Sequence, residues 1–345
     1  MSSTTMTYRE AVRLAMMEEM DRDENVFIMG EDIGKYKGTF RVTDGLFEKY
    51  CQNTSDWLHE PPHPEIQDGV GRRVIDTPIT EPGIVGMATG AAMTGLRPIV
   101  EMMTMSFAIL ALDQIINHAA KIHYMTDGQI SVPLVIRGPG GAANQLSAQH
   151  SHSMEGWFAH VPGLKVVAPA TPDCAKGMLK AAIRDNNPVI FTENPGLYAL
   201  KGEVNDDLDY TIPFGKARIA REGTDISLVC YSRMVHVCLA AAEKLAEEGI
   251  KAEVVDVRSL LPLDTETIYN SVAKTHRAVV VYEDWKSGGF GAEIAARIGQ
   301  DCFDDLDAPV GRVGGLNVPM PYSRVLELQC IPNENDVIAE VKKIG

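Results

Sequence analysis

The sequence is poor in basic residues and has no long uncharged apolar run, and each shortage excludes a class of protein. Lysine and arginine number 32 against 47 acidic residues, which gives a formal net charge of -15. This balance argues against nucleic acids and anionic membrane surfaces as partners and makes a basic partner more plausible. Because no uncharged apolar run is long enough to span a membrane, we expect no membrane-spanning segment.

Cysteine motifs and a targeting segment are also missing. The six cysteines show no CxxC or zinc-ligand spacing, and several lie in apolar runs such as ISLVCYS. They are interpreted as buried thiols of a reducing compartment. The first twenty residues mix Arg9 and Arg13 with Glu10, Glu18 and Glu19 on a helical pattern, unlike a secretory signal or an acid-poor transit peptide. We therefore expect a cytoplasmic protein, with a processed organellar form as the alternative.

What the chain does have is a repeated alternation of short β-branched runs with helical patterns. With 345 residues, 45% of them hydrophobic, it can bury one or two sizeable cores. The alternation is typical of mostly parallel sheets flanked by helices. Residues 195–224 lack clear periodicity, and the alternation restarts after them. The sequence predicts an α/β fold of two such domains, residues 1–200 and 221–345, joined by a linker over 201–220. The β-branched runs before the linker are 26–29, 73–76, 98–102, 133–137, 164–168 and 188–191.

Glu81 is the most informative single residue. It lies between a short β-like run, Arg73 to Asp76, and an apolar helix punctuated by glycine. An acid in such a crevice is costly to ionise unless a neighbour pairs with it. The simpler interpretation is a first-turn glutamate favoured by the helix dipole, with Thr80 before it and Pro82 after it.

The helix after Glu81 favours a functional role. Gly86, Gly90 and Ala91 give it a flat face that another backbone can approach closely, and Gly95 is a natural helix stop. Because glycine inside a helix costs stability, a packing reason is expected.

Many separate blocks of the chain, in the same order, resemble one known family. It is the beta subunit of the thiamine-diphosphate-dependent 2-oxo acid dehydrogenases, with most similarity to the first component of pyruvate dehydrogenase. The beta subunits of branched-chain 2-oxo acid and acetoin dehydrogenases share much of the pattern, so the family is better defined than the substrate; the last block favours pyruvate. The blocks are DTPITEPG (76–83), GAAMTGLRPIVE (90–101), LDQIINHAAKIHYMTDG (112–128), VPLVIRGPGG (132–141), SAQHSHS (147–153), HVPGLKVVAP (160–169), AAIRDNNPVIF (181–191) and VPMPYSRVLE (318–327).

The resemblance implies a transketolase-like pyrimidine-binding domain followed by a transketolase-like C-terminal domain, and it assigns roles to residues. Glu81 matches the carboxylate that hydrogen-bonds a ring nitrogen of the cofactor's aminopyrimidine and favours its imino tautomer. Met103 and Phe107 match the apolar slot for that ring. Without the resemblance, both would be interpreted as ordinary core residues.

His150 is the second implied catalytic residue and also a cofactor contact. It follows the glycine loop GPGG (138–141), and loops of this kind often carry function. A histidine can exchange a proton near neutral pH, as acyl transfer to a lipoyl thiol requires. A solvated loop side chain is the alternative. His152 is a weaker candidate, and His118 and His123, on the predicted helical stretch that follows residue 112, are interpreted as structural.

The resemblance also implies two metals and two partners. Members of the wider cofactor family hold magnesium through a Gly-Asp-Gly motif, which this sequence lacks. An alpha subunit is therefore expected to supply magnesium and the diphosphate site, in an assembly of two alpha and two beta chains. The family also holds potassium through main-chain oxygens, at positions that match Leu134, Ala182, Ile183, Asp185 and Asn187. The second partner is a lipoyl acyltransferase core.

Four interpretations remain. Residues 51–71 contain three prolines and no periodicity, and they are interpreted as an insertion forming a surface loop or interface arm. A transketolase-like or deoxyxylulose-phosphate synthase enzyme is disfavoured, because it would carry its own diphosphate domain upstream. A non-enzymatic assembly subunit is disfavoured because the four implied site residues are present.

Finally, an acidic surface for the basic binding domain of the acyltransferase is expected in the second domain; ordinary solvation is the alternative. Its residues are Asp301, Asp304, Asp305, Asp307 and Glu327.

Overall fold

The computed structural model describes residues 2–51, 73–142 and 145–344. Apart from Cys51, the expected insertion over 51–71 lies outside these residues. The strands are β1 (Ser3–Thr7), β2 (Val26–Gly30), β3 (Val74–Asp76), β4 (Arg97–Glu101), β5 (Val135–Pro139), β6 (Lys165–Val167), β7 (Val189–Glu193), β8 (Lys201–Asn205), β9 (Arg218–Arg221), β10 (Ile226–Cys230), β11 (Ala252–Asp256), β12 (Ser259–Leu261), β13 (Ala278–Trp285) and β14 (Gly311–Gly315).

The helices flank these strands. They are α1 (Tyr8–Arg22), α2 (Leu46–Tyr50), α3 (Glu81–Met93), α4 (Ile122–Met125), α5 (Glu155–Ala159), α6 (Pro172–Arg184), α7 (Met234–Glu247), α8 (Thr265–Thr275), α9 (Phe290–Asp301), α10 (Arg324–Cys330) and α11 (Glu334–Ile344). Short 3-10 helices cover Met105–Ala111, Ala148–His150, Pro195–Leu197 and Phe303–Asp305, and a π-helix covers Gln114–Ala119. None of the helices in the described ranges combines the length and apolar character that crossing a membrane requires.

The first sheet has seven strands in the order β12-β6-β7-β5-β4-β2-β3, and all neighbours are parallel except β12 with β6. Alternate side chains of its strands enter two different cores. Ile99 of β4 packs with residues of α1 and α6, whereas the adjacent Val100 packs with residues of α3 and the π-helix. The sheet is therefore covered by helices on both faces, which explains its nearly continuous apolar strands.

The second sheet has five strands in the order β14-β13-β10-β11-β9, with only β9 antiparallel to its neighbour. Helices α7 and α11 pack on one face, and α8 and α9 on the other. One core cluster contains residues of both sheets, including Val100 and Val280. The two halves thus share a continuous apolar contact, and the predicted α/β class with two parallel-rich sheets is confirmed.

Two stretches differ from the sequence-based expectation. The segment 201–220 contains β8, which pairs antiparallel with β1, and the start of β9. Only one residue of β8 is buried, so its sequence carries no alternation. The helical stretch after 112 is divided between the π-helix and the short helix α4. The domain limits 1–200 and 221–345 stay a prediction.

Candidate active site

The carboxyl ends of the parallel strands in the first sheet meet at one edge, and four acidic side chains gather there. Glu31 follows β2, Glu101 ends β4 and Glu193 ends β7, while Glu81 begins the helix that follows β3. All four are buried. Such a concentration of acids away from water requires cationic or hydrogen-bond-donating partners.

Arg137 neutralises two of these acids. Its guanidinium, fully buried in β5, forms ion pairs with Glu101 and Glu193, and Nη2 lies 2.8 Å from Glu193 Oε2. The Tyr198 hydroxyl donates a further hydrogen bond of 2.8 Å to Glu193. Burial raises the pKa of Glu101, and the positive charge of Arg137 opposes that rise.

Glu31 and Glu81 form the second pair of acids. Glu81 is 5% exposed and begins α3, where Pro82 lies in the first turn, as the sequence predicts. Burial raises the pKa of Glu31, and the negative charge of Glu81 raises it further. Within the described ranges, neither acid forms an ion pair or a side-chain hydrogen bond. The carboxylate of Glu81 is therefore available to accept a hydrogen bond from a bound group, and an ionised acceptor forms a strong hydrogen bond in a buried site.

Two apolar side chains, Met103 and Phe107, follow β4, whose carboxyl end lies at this edge. Met103 and Phe107 are partly exposed, and Phe107 is carried by the 3-10 helix Met105–Ala111. The ring of Phe107 packs edge-on against the imidazole of His150, with centroids 5.1 Å apart and an interplanar angle of 76°. The fold therefore brings Phe107 and His150 together although they lie 43 positions apart in the sequence.

The loop around His150 presents unsatisfied polar atoms. His150 itself is exposed, whereas Ser151 Oγ and His152 Nδ1 are buried and lack a hydrogen-bond partner in the described part of the chain. His152 packs against Trp285, with ring centroids 5.7 Å apart. Burial lowers the pKa of His152, and His150 lowers it further. Together with the unpaired Glu81, these atoms fit a ligand that brings both an apolar ring and hydrogen-bonding groups.

The five residues expected to hold potassium lie at the opposite edge of the same sheet. Leu134 precedes β5, and the other four lie at the end of α6 and in the turn before β7. Arg97 Nη1 donates to the carbonyl oxygens of Ile183 and Asp185, at 2.9 and 3.1 Å. The carbonyls of Leu134 and Ala182 accept backbone hydrogen bonds of 2.8 and 3.2 Å. Each carbonyl retains a second lone pair, and a helix C-terminus favours positive charge, so this corner fits a cation.

Four buried charged residues escape the sequence-based prediction. Glu31, Glu101, Arg137 and Glu193 all gather at the site edge. Their signal in the sequence is a charged residue inside or directly after an apolar strand run, as in VIR and VIFTE. Such residues are rarely buried unless they are paired.

One expectation was wrong. Glu327 does not contribute to an acidic surface, because it is 3% exposed and accepts a hydrogen bond from the backbone of Gln145. The four aspartates that were grouped with it are exposed.

Comparison with known proteins agrees with this arrangement. The model of the transketolase pyrimidine-binding domain matches residues 4–201, and that of the transketolase C-terminal domain matches residues 215–337. The chain is 47% identical to the pyruvate dehydrogenase E1 component subunit beta, mitochondrial, of Caenorhabditis elegans, covering 99% of this chain and 93% of that protein. The chain belongs to the pyruvate dehydrogenase E1 beta-subunit family.

Other members of the E1 beta-subunit family give the same result. The subunit of Rickettsia felis is 48% identical, with 98% of both chains covered. The subunit of Rhizobium meliloti is also 48% identical, covering 99% of this chain and 70% of that one. A solved structure described as a split gene transketolase, inactive beta4 tetramer, has a TM-score of 0.75 at 24% identity and covers 98% of each chain, which shows a shared fold. The predicted family is confirmed.

Proposed function

We propose that this chain is the beta subunit of a thiamine-diphosphate-dependent dehydrogenase that decarboxylates pyruvate and transfers the acetyl group to a lipoyl group. One observation carries the proposal. The carboxylate of Glu81, buried and without an ion-pair or hydrogen-bond partner in the described ranges, lies at the carboxyl edge of the sheet, and Phe107, which follows β4 at that edge, packs against His150. The family membership supports pyruvate as substrate, because the relatives carry that name.

The chain's own residues then have separate tasks. Thiamine diphosphate, when bound, supplies a carbon nucleophile and an electron sink for decarboxylation. Glu81 accepts a hydrogen bond from a nitrogen of the pyrimidine ring and so controls where that ring carries its proton. Met103 and Phe107 contact the apolar face of the ring. His150, which is exposed and packs edge-on against Phe107, exchanges a proton with the incoming lipoyl thiol.

The proposed alpha subunit completes the site with magnesium and the diphosphate-binding half. The sequence lacks the Gly-Asp-Gly motif for that half. Support comes from α3, whose outer face exposes Gly83, Met87 and Gly90, and a Cβ added at Gly90 would meet no described atom within 4 Å. This face, next to Glu81, has room for another chain. We propose two alpha and two beta chains in the enzyme.

The second proposed partner is the lipoyl acyltransferase core, with the exposed aspartates at the end of α9 as its docking surface. Neither Asp304 nor Asp305 forms an ion pair with any residue that the structure describes, and the neighbouring Phe303 is 74% exposed. Opposite charges orient an encounter and weaken with salt. Reversal of Asp304 and Asp305 to lysine is expected to weaken binding of the core without changing decarboxylation. The matched control reverses two exposed glutamates of α7, Glu243 and Glu247; equal binding by both variants would place docking elsewhere.

Three smaller proposals accompany the main one. Potassium binds at the corner formed by Leu134, Ala182, Ile183, Asp185 and Asn187, alongside the guanidinium of Arg97. The enzyme works in the cytoplasm, which is supported by buried thiols such as Cys230 and Cys238. The two domains divide near residues 200 and 221.

Substrate identity is tested by co-expressing this chain with its alpha subunit and assaying the purified pair. Pyruvate, the branched-chain 2-oxo acids and acetoin are offered separately, with an artificial electron acceptor. Pyruvate is expected to give the highest kcat/KM. A preference for another substrate would replace pyruvate in the proposal, and no activity on any of them would favour a non-enzymatic assembly subunit.

A further inference from the structure

The loop that leads to His150 is fastened by two glutamates from the second half of the chain. Glu283 of β13 accepts a hydrogen bond of 2.6 Å from the backbone N–H of Ala142. Glu327 of α10 accepts one from the backbone N–H of Gln145, at 3.2 Å from each carboxylate oxygen. Both acids are almost fully buried. Both anchors therefore come from elements of the second half of the chain, β13 and α10, whereas the loop that they hold follows β5 of the first sheet.

The backbone around the first anchor is closely surrounded by side chains. Gly141 adopts a φ of +87°, and a Cβ at this position would lie 2.5 Å from Glu283 Oε1. The second oxygen of Glu283 accepts a hydrogen bond of 2.9 Å from Asn194 Nδ2, beyond the end of β7. Arg233 Nη1 donates to the carbonyl of Ala142 at 3.4 Å. Both peptide groups of Ala142 are thus held by side chains from the second domain.

The backbone at the second anchor is strained. Gln145 and Ser147 have φ angles of +58° and +64°, which non-glycine residues adopt at a cost. Such strain persists only where the surroundings impose it, and it gathers at functional sites. At the first of these two residues, the N–H of Gln145 donates to the carboxylate of Glu327, so this hydrogen bond helps to impose the strained backbone conformation.

Carboxylates are a costly choice for this task. Burial raises the pKa of Glu283, and the nearby charge of Glu327 raises it further, while Arg233 and the donors from Ala142 and Asn194 oppose the rise. Amides would avoid the cost of burying two neighbouring acids. Ionised acceptors, however, form stronger hydrogen bonds than neutral ones. The two carboxylates therefore hold the loop backbone more strongly than amides would, although burying them costs more free energy.

We propose that Glu283 and Glu327 are positioning residues that fix the His150 loop for acyl transfer. The inference rests on the role proposed above for His150. Among the described contacts, neither glutamate contacts His150 itself. The exposed ring of His150 packs against Phe107. Its orientation therefore depends on the loop backbone, and small displacements of a proton-transfer group lower the rate steeply. The second domain would thus contribute to the chemistry without touching the substrate.

Hydrogen exchange tests the anchor without measuring activity. In the assembled alpha-beta enzyme, Glu327→Ala is expected to speed exchange in the peptide that contains Ala142 and Gln145 by roughly tenfold, the effect of losing one hydrogen bond to a charged acceptor. Glu327→Gln keeps an acceptor oxygen and should restore most of the protection. The control is Glu248→Ala, which removes only an exposed ion pair with Lys342 in the same half of the chain.

Activity measurements then separate positioning from general stability. Glu327→Ala should impair acyl transfer to the lipoyl group more than decarboxylation with an artificial acceptor, as should Glu283→Gln, whose new NH2 group opposes the donor of Asn194. Combined with His150→Ala, Glu327→Ala should add little further loss of acyl transfer, because residues that act through one group are not additive.

Two results would overturn the proposal. One is unchanged exchange in Glu327→Ala, which would mean that the anchor does not hold the loop. The other is a loss of equal size in both assays that adds fully to the loss in His150→Ala. A failure of the proposed role of His150 itself is recognised separately, because His150→Ala alone would then leave acyl transfer intact.

Discussion

Replacing Glu81 with glutamine removes one negative charge from the candidate site and almost nothing else. The side chain is 5% exposed, begins α3 and makes no side-chain hydrogen bond within the described ranges, so the change breaks no structural contact. It also relieves the repulsion that raises the pKa of Glu31. The folded complex should therefore be at least as stable as the wild type.

The effect on turnover should be large. An amide still forms a hydrogen bond, but it no longer favours the protonation state of the ring that the carboxylate favours. Loss of one such contact in a buried site typically lowers kcat about 100- to 1000-fold, or roughly 3–4 kcal/mol of transition-state stabilisation. Decarboxylation of pyruvate by the purified alpha-beta complex is the assay, with the melting temperature measured in parallel.

A matched control separates charge from position. Glu334 begins α11 as Glu81 begins α3, but it is partly exposed and pairs with Lys244 at 3.2 Å. Glu334→Gln should leave decarboxylation unchanged. Near-normal activity in the Glu81→Gln complex, or a loss explained by a lower melting temperature, would refute the role of Glu81.

Three further predictions concern other parts of the molecule. His150→Ala should lower acyl transfer to the lipoyl group by about 100-fold while decarboxylation with an artificial acceptor changes less; equal losses would indicate a structural role. Arg137→Gln leaves two buried glutamates without their cation and should cost about 3–5 kcal/mol in chemical denaturation of the complex; a cost near zero would contradict the ion-pair network. Burial and the adjacent Asp284 raise the pKa of Glu155 to about 8, so its contribution to stability is fully present below its ordinary pKa of 4.5 and is lost as pH rises through about 8. Glu155→Gln should therefore flatten the fall in melting temperature over that range, and an unchanged pH profile would exclude this assignment.

Strand positions and the start of α3 follow from local signals. The β-branched runs predict β2 to β7 within about two residues, because most of these strands are buried on both faces and have continuous apolar sequences; the edge strand β3 is the exception. Thr80, Glu81 and Pro82 mark the start of α3, and Gly95, with a φ of +102°, lies just beyond its end.

Long-range contacts are what the sequence alone could not provide. The pairing of β8 with β1 joins residues about 200 positions apart, and neither strand shows alternation. The sequence groups Glu327 with the aspartates of 301–307, which it follows in the same region of the chain, yet the fold buries it, and its carboxylate accepts a hydrogen bond from the backbone of Gln145. Such placements depend on packing between elements that no local pattern records.

In the proposed enzyme, this chain provides the pyrimidine half of a thiamine diphosphate site that an alpha subunit completes. Calorimetric titration of thiamine diphosphate with magnesium distinguishes this arrangement from a site formed by one chain, using this chain alone, the alpha subunit alone and the assembled complex. We expect tight binding by the complex only, and weaker binding when Phe107 is replaced by alanine. Tight binding by this chain alone, or binding by the complex that is indifferent to Phe107→Ala, would contradict it.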